Sequence, residues 1–500
     1  MPPIEERVPA AGAIKATMPA DEGGNPCSWL LLALLTIAAA WLRLAHLGSK
    51  SLWLDEGATV TLARTSWSHF AWVWWHGEAN LQTVYFLLMR AWVLRGQSET
   101  WLRLPSALFG IASVPMLYIV GRKLAPAGAA LAAAALLAFS PAHVYYSQEA
   151  RSYSLTIFLV LLSSYYFVRS VEHGQPRDWL RWTVVGILAF YSHDFAALVL
   201  VAQASSLLFR KISPVTWKRV ILCGMVMLVA ALPGLTYVFR ASPENLHFIW
   251  MPRATPKKLW HLVNFFGGSG VKSYLALALW VAGLVAITRT RRRDPDAFWH
   301  GMLIVSWGLL PAFITALVSL RHPIFMQRYL IFSLPAMLLL AGAGGFVLRR
   351  MHIGAILVVA LCTMSAIAVV KGYHKPREDW RSASHAILAA AQPGDAVVFF
   401  PFYTRTMLDY YRDRDEQASP RLHVFAPQFY GGGEDERNLL QALDTDPQQF
   451  PHVWVVLYGA DSVSRNSAPM SAVLAAKLQR MFGPPETRQF TDIEVLKYGK

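Results

Sequence analysis

The run Trp29-Leu-Leu-Leu-Ala-Leu-Leu-Thr-Ile-Ala-Ala-Ala-Trp-Leu-Arg-Leu-Ala-His46, followed almost at once by Gly48-Ser-Lys-Ser-Leu-Trp-Leu-Asp-Glu-Gly57, decides how this chain is read. Its first part suits a retained membrane span, which takes about 20 apolar residues. It begins too late and runs too long for a cleaved signal segment. Its second part sets two adjacent carboxylates, Asp55 and Glu56, at a membrane mouth beside Trp53 and close to Lys50. Acidic groups at such a place cost desolvation unless water or a cation reaches them. Two readings are open here: Asp55 caps a helix over residues 57–75 with Glu56 favoured by the helix dipole, or the pair performs acid/base chemistry.

Working outward, further apolar runs lie near 105–121, 127–142, 154–168, 220–239, 274–288, 297–319, 329–348 and 352–370. Residues 182–209, interrupted by Tyr191-Ser-His193-Asp194, read as a hairpin of two short helices whose polar tip faces a cavity. The fold class is therefore a polytopic α-helical membrane protein with about 11 spans. Composition agrees: 15% of residues are charged, against about 25% in soluble domains. The formal net charge of +15 sits in short clusters between apolar runs, which points to anionic membrane lipids and away from nucleic acid. Cys27, Cys223 and Cys362 have neither CxxC nor Cys/His spacing, so they suggest no disulfide framework or zinc site.

Orientation follows from the basic clusters. Arg122-Lys123, the group Arg169, Arg177 and Arg181, Arg210-Lys211 with Lys218-Arg219, Arg289 with Arg291–Arg293, and Arg349-Arg350 fall on alternate connections. Cytoplasmic loops carry such an excess, which makes residues 1–28 a cytoplasmic tail and 29–371 a multi-pass membrane domain. The first outer loop 48–104, residues 143–153, 240–273 and 320–328, and the region 372–500 then lie outside. Within the first loop, 84–95 is too short to cross and is interrupted by Arg90, so it reads as a surface helix among interfacial tryptophans. Region 372–500 alternates strand patterns (395–400, 452–458, 486–497) with helical ones (379–391, 403–412, 434–445, 469–482), as in a small α/β domain. Gly431–Gly433 matches no phosphate-loop spacing and reads as a turn.

The outer loops gather Asp55 and Glu56, the stretch Tyr145-Tyr146-Ser-Gln148-Glu149-Ala-Arg151-Ser-Tyr153, then His193 and Asp194, and finally His322, Gln327, Arg328 and Tyr329. A carboxylate there can take a proton from an attacking hydroxyl while arginines, whose planar forks match phosphate oxygens, receive a leaving phosphate. Each member also has a plainer role: Arg151 pairs with Glu149, Arg328 snorkels to the interface, the tyrosines form an aromatic belt, and His193 is a satisfied interfacial histidine.

The sequence resembles the membrane-embedded glycosyltransferases that use polyprenyl-phosphate sugars. This is the GT-C superfamily of protein O-mannosyltransferases (glycosyltransferase family 39) and the lipid A aminoarabinose transferase. The resemblance rests on Ser51-Leu-Trp53-Leu-Asp55-Glu56, Leu102-Arg-Leu-Pro-Ser-Ala-Leu-Phe-Gly110, Ser140-Pro-Ala-His-Val-Tyr-Tyr-Ser-Gln-Glu149-Ala-Arg151-Ser-Tyr153, and Gln327-Arg328-Tyr329-Leu330 followed by Pro335. It implies inverting transfer of a hexosyl or pentosyl group from a polyprenyl-phosphate donor to a hydroxyl acceptor on protein, lipid A or glycan. Asp55 is then the base, with Glu149 and Glu56 as further catalytic candidates. The candidates for the donor phosphate are Arg151, Arg328 and Lys50, and for the substrate Tyr146, Gln148, Tyr153, His193, His322 and Tyr329. Many relatives carry Pro-Pro or Pro-Leu-Tyr where this chain reads Glu78-Ala-Asn80-Leu-Gln82-Thr-Val-Tyr85, which weakens any transfer of roles onto Glu78 or Asn80. No cofactor is implied; the outer loops carry no strong Asp-x-Asp motif, which speaks against a divalent metal but leaves one open. The reading from a different class is a lipid-binding or flippase-like transporter.

Overall fold

The computed structural model describes residues 26–76, 82–240, 251–414, 422–425, 434–446, 449–459, 470 and 472–499. Glu78, Asn80, Gly431–Gly433 and most of the N-terminal tail lie outside them. The membrane part contains α1 (Pro26–Leu44), α2 (Leu54–Arg64), α3 (Trp67–His76), α4 (Thr83–Trp92), α5 (Glu99–Leu124), α6 (Ala127–Phe139), α7 (Pro141–Ser147), α8 (Tyr153–His173), α9 (Pro176–Phe190) and α10 (Ala196–Ser206). It continues with α11 (Pro214–Arg240), α12 (Pro256–Gly267), α13 (Val271–Thr290), α14 (Pro295–Val318), α15 (Leu334–Val347) and α16 (Ile353–Tyr373).

Eight helices among the described residues are long and apolar enough to cross a membrane. They are α1, α5, α8, α13, α14, α16, residues Pro214–Leu235 of α11, and the unit Gln327–Val347 that ends in α15. The bent pair α6 and α7, turned by 57°, makes a ninth if it is one crossing. Its bend has a local cause: Ser140 caps α7 by accepting from the His143 N–H, and Pro141 cannot continue the hydrogen-bond ladder of α6. The expected hairpin is present as α9 and α10 around a polar tip. The count of eleven is reached only by adding these two helices of 15 and 11 residues, each shorter than the roughly 20 residues a crossing needs.

The helix expected over 57–75 is broken in two at Thr65-Ser66, giving α2 and α3, and the short helix expected over 84–95 appears as α4, with Tyr85 and Met89 buried in the core. A buried clamp joins α1 to the α6–α7 bend. Arg43, with no exposed surface, donates to the carbonyls of Leu137 and Ala138 at the end of α6 and bonds the His143 ring at 2.7 Å. These are the carbonyls that a helix end leaves without partners.

The C-terminal region is the expected α/β domain. It comprises α17 (Trp380–Ala390), α18 (Arg405–Arg412), α19 (Glu434–Thr445), α20 (Ala472–Phe482) and strands β1 (Ala396–Phe400), β2 (His423–Phe425), β3 (His452–Tyr458), β4 (Glu486–Phe490) and β5 (Ile493–Gly499). The sheet runs β2-β1-β3-β5-β4, with β1 parallel to β2 and β3, and β5 antiparallel to β3 and β4. The single strand expected over 486–497 is thus a hairpin, turned at Thr491-Asp492, where Asp492 adopts φ of 60°. Asp is among the few non-glycine residues that tolerate this conformation.

The α/β domain sits on the loop 48–104. Glu99 pairs with Arg381 and with Arg414, each at 2.9 Å, the Tyr410 hydroxyl donates to the Gln97 carbonyl, and the Leu52 N–H donates to the Tyr411 oxygen. Helix α18 lies on α2, where Gly57 leaves room for the Met407 sulfur.

Candidate active site

The centre of the site is the first turn of α2. Trp53 is its N-cap residue, and its N–H donates to Glu56 Oε2 at 3.2 Å, so Glu56 and not Asp55 completes the cap. Glu56 is entirely buried. Its Oε1 also accepts from Arg103 Nε and the Ala150 N–H, both at 2.8 Å, and its Oε2 from the second nitrogen of the Arg103 fork at 2.7 Å. The same guanidinium donates to the carbonyls of Leu47, Lys50 and Ser51, which uses all five of its N–H groups. Burial alone would lift the Glu56 carboxyl, but the Arg103 charge and hydrogen bonds outweigh it and hold the group below its ordinary range. With four donors already on it, Glu56 has nothing left for a substrate hydroxyl. Glu56, expected among the catalytic candidates, therefore takes the place of a scaffold residue in this geometry.

Asp55, one residue earlier on the helix, faces a different environment. Its Oδ2 lies 3.9 Å from Arg151 and 3.6 Å from Arg328, and its side chain is 28% exposed. These separations exceed the ~2.7–2.9 Å of a tight charge-assisted bond, so the carboxylate is attended by two cations without being locked to either. Arg151 also reaches the Asp55 carbonyl and Thr59 Oγ1, both at 3.3 Å, and its buried Nε has no partner among the described residues. Arg328 lies against the rings of Trp53 and Tyr329, at 5.8 and 5.3 Å, and does not snorkel outward.

Glu149 does not pair with Arg151. It is completely buried and forms its ion pair with Arg377, from the connector between α16 and α17. Arg377 also donates to the Tyr145 hydroxyl at 2.8 Å. Burial pushes the Glu149 carboxyl up to about 7; Arg377 opposes the shift, and the nearby Glu56 and Asp55 add to it. Its Oε2 has no hydrogen-bond partner among the described residues.

Four of the expected substrate residues form one aromatic wall beside these charges. Tyr146 packs on Tyr153 at 4.8 Å, Tyr153 on His193 at 5.8 Å, and His193 on Tyr329 at 5.0 Å. His193 is bonded to Asp194 at 2.8 Å, and the buried Tyr153 hydroxyl has no partner among the described residues. Three of the expected phosphate and substrate residues stand apart from this wall. Gln148 turns away and caps the end of α1, its amide donating to the carbonyls of Leu42, Arg43 and Ala45. Lys50 donates to the Gly372 carbonyl at 2.8 Å and makes no ion pair with Asp55. His322 is exposed on the turn after α14 and makes no side-chain hydrogen bond or ring contact among the described residues.

Sequence reasoning missed Arg103, Arg377 and Glu378. Arg103 lies in the quoted Leu102–Gly110 motif, where a lone arginine at the mouth of a span was itself a signal. Arg377 and Glu378 look like ordinary connector residues. Two tyrosines of the α/β domain, Tyr403 and Tyr458, lie close enough to Asp55 to feel its charge. Among the described residues no three His, Cys, Asp or Glu side chains gather as a metal site.

Residues 82–237 match the family model described as dolichyl-phosphate-mannose-protein mannosyltransferase. No protein of curated function matches the chain significantly. Among solved structures, ArnT from Cupriavidus metallidurans in the apo state aligns with a TM-score of 0.58 at 15% identity, covering 94% of this chain and 98% of that one. The same protein bound to undecaprenyl phosphate aligns at 0.57 and 14%, covering 95% and 98%. The archaeal oligosaccharyltransferase AglB from Archaeoglobus fulgidus, in complex with an inhibitory peptide and a dolichol-phosphate, aligns at 0.54 and 11%, covering 94% and 74%. The chain has the GT-C fold of the mannosyltransferase and ArnT type, and the expected helical membrane fold with a small C-terminal sheet domain holds apart from the count of spans.

Proposed function

We propose that this multi-pass GT-C protein transfers a sugar, with inversion, from a polyprenyl-phosphate donor to a hydroxyl acceptor. Asp55 acts as the base, and Arg151 and Arg328 receive the phosphate. The observation that carries the reading is the partly exposed Asp55 carboxylate held loosely between two guanidiniums beside an aromatic wall. Before the donor arrives, the two arginines and Asp55 together carry one net positive charge, which matches the single negative charge of a phosphodiester. As the arginines turn to the phosphate oxygens, the carboxylate is released to meet the acceptor. The acceptor oxygen then attacks the anomeric carbon, and its proton passes to Asp55. The bond from that carbon to the phosphate oxygen breaks, and its electron pair leaves with the lipid phosphate. Once Asp55 is protonated, two guanidiniums face a phosphomonoester that carries up to two negative charges, so the charge balance improves along the reaction.

Glu149 is assigned to the sugar end of the site, its unpartnered Oε2 serving as an acceptor for a sugar hydroxyl. In this reading the Asp55 end of the bundle and the α/β domain (372–500) face the extracytoplasmic side. The basic clusters at the opposite ends of the spans support that orientation.

The test is Asp55→Asn in the reconstituted protein, with a panel of polyprenyl-phosphate sugars scored for donor consumption. The substitution keeps shape and removes the proton acceptor, so turnover should fall by at least about a hundredfold, while undecaprenyl phosphate remains bound. Unchanged turnover overturns the assignment of the base. Failure of the unaltered protein to consume any donor, with lipid still bound, favours the lipid-binding or transporter alternative.

A further inference from the structure

The six residues His374-Lys-Pro-Arg-Glu-Asp379 connect the last span, α16, to α17 of the α/β domain. Two of them enter the site. Arg377, with only 14% of its side chain exposed, is the one ion-pair partner of Glu149 among the described residues, since Arg151 is taken by Asp55. Two further side chains hold its guanidinium: it lies 5.4 Å from the Trp53 ring and 5.0 Å from the Tyr145 ring, and it donates to the Tyr145 hydroxyl. The next residue, Glu378, accepts from the Leu54 N–H at 3.3 Å, one residue from Asp55. It also accepts from Trp380 Nε1 at 2.9 Å and the Tyr458 hydroxyl at 2.7 Å, both in the α/β domain.

We propose that Arg377 is a positioning residue for Glu149, brought into the membrane domain by docking of the α/β domain, so that the site is complete only when that domain is seated. This rests on the reading of Glu149 given above. A buried carboxylate without a cation is expensive to ionise. The groups facing Glu149 are Arg377 from the connector, Tyr145 and Tyr146 from α7, Asp55 and Glu56 from α2, Tyr85 from α4, Arg328 before α15, and Arg103 from α5. Of the arginines, Arg103 is consumed by Glu56 and Arg328 attends Asp55, which leaves Arg377 to offset the two carboxylates nearby. Glu378 ties the same connector to the first turn of α2. One docking event therefore sets the position of both acidic residues.

The test compares the unaltered full-length protein with Arg377→Gln, Arg377→Lys, Glu149→Gln and the double variant Glu149→Gln/Arg377→Gln. Loss of Arg377 removes a stabiliser of the ionised form, so the proton stays on Glu149 to higher pH. The acidic limb of the kcat profile should move up by about one pH unit or more in Arg377→Gln, less in Arg377→Lys, and not at all between Glu149→Gln and the double variant. An equal fall at every pH with an unmoved limb, or effects that multiply in the double variant, overturns the proposal. A second readout needs no substrate. Between pH 6 and 9, the Tm of the unaltered protein should level off above about 7, where Glu149 is already ionised. The Tm of Arg377→Gln should keep falling there, and Glu149→Gln should abolish that fall. If no polyprenyl-phosphate sugar is consumed, the functional reading fails and the thermal curves decide this inference alone, parallel curves overturning it.

Discussion

Replacing Glu56 by glutamine tests whether the catalytic loop is held by a buried ion pair. Each of its two carboxylate oxygens accepts from two donors: Arg103 Nε and the Ala150 N–H on one, Arg103 and the Trp53 N–H on the other. Whichever oxygen becomes an amide nitrogen, two buried donors lose their acceptor, at about 1–3 kcal/mol each. The Arg103 charge, 2% exposed at its side chain, is left without a counter-charge. Two such donors together cost about 2–6 kcal/mol, a range that brackets the roughly 3–5 kcal/mol of a buried pair that loses one member. Because Trp53 and Ala150 flank Asp55 and Arg151, the damage should concentrate there. Hydrogen exchange in detergent should speed up at residues 50–64 and 148–153, and Tm should fall. Replacing both partners with apolar residues of similar volume should recover much of the loss, since the desolvation cost goes with the pair. The sign of the pH dependence is also fixed. The folded-state carboxyl is held below its unfolded value, so its contribution is present above that value and is lost as pH falls through the folded one. Glu56→Gln should therefore lose its deficit relative to the unaltered protein in acid. A Glu56→Gln protein with unaltered exchange and Tm would refute the scaffold role.

Arg151→Gln and Arg328→Gln should each lower turnover by about a hundredfold, as removal of one charge-stabilising donor does, and weaken undecaprenyl phosphate binding in native mass spectrometry. Lysine should rescue Arg328 only in part, because it lacks the planar fork. Gln148→Ala should cost about 1–2 kcal/mol, as for other lost helix caps, while leaving the KM for donor unchanged; a raised KM with unaltered Tm would return Gln148 to the substrate. His322→Ala should leave both turnover and Tm within twofold and error of the original, and a large loss in either would reveal a contact outside the described residues.

The sequence by itself determined the architecture that depends on local pattern. A span is a property of some 20 consecutive residues, so the apolar runs, the hairpin at α9 and α10 and the short helix α4 were legible without any partner. The strands β1 and β3 announced themselves in the same way as short, fully apolar runs. The fold family followed from ordered motifs, and the gathering of Asp55, Arg151, Arg328, Tyr153 and His193 followed from all of them lying on the same end of the spans. Tertiary structure alone decided what each group touches. Asp55 and Glu56 look equivalent as neighbours, but consecutive residues on a helix point about 100° apart. That rotation sends one to a pair of loose guanidiniums and the other into a closed bond with Arg103, 47 positions away. Glu149 and Arg151 invited pairing for the same reason of proximity, and the bond went instead to Arg377, 228 positions on. Partner choice between charged groups is set by which backbones pack together and by how much water is left between them, and no window of sequence contains that information.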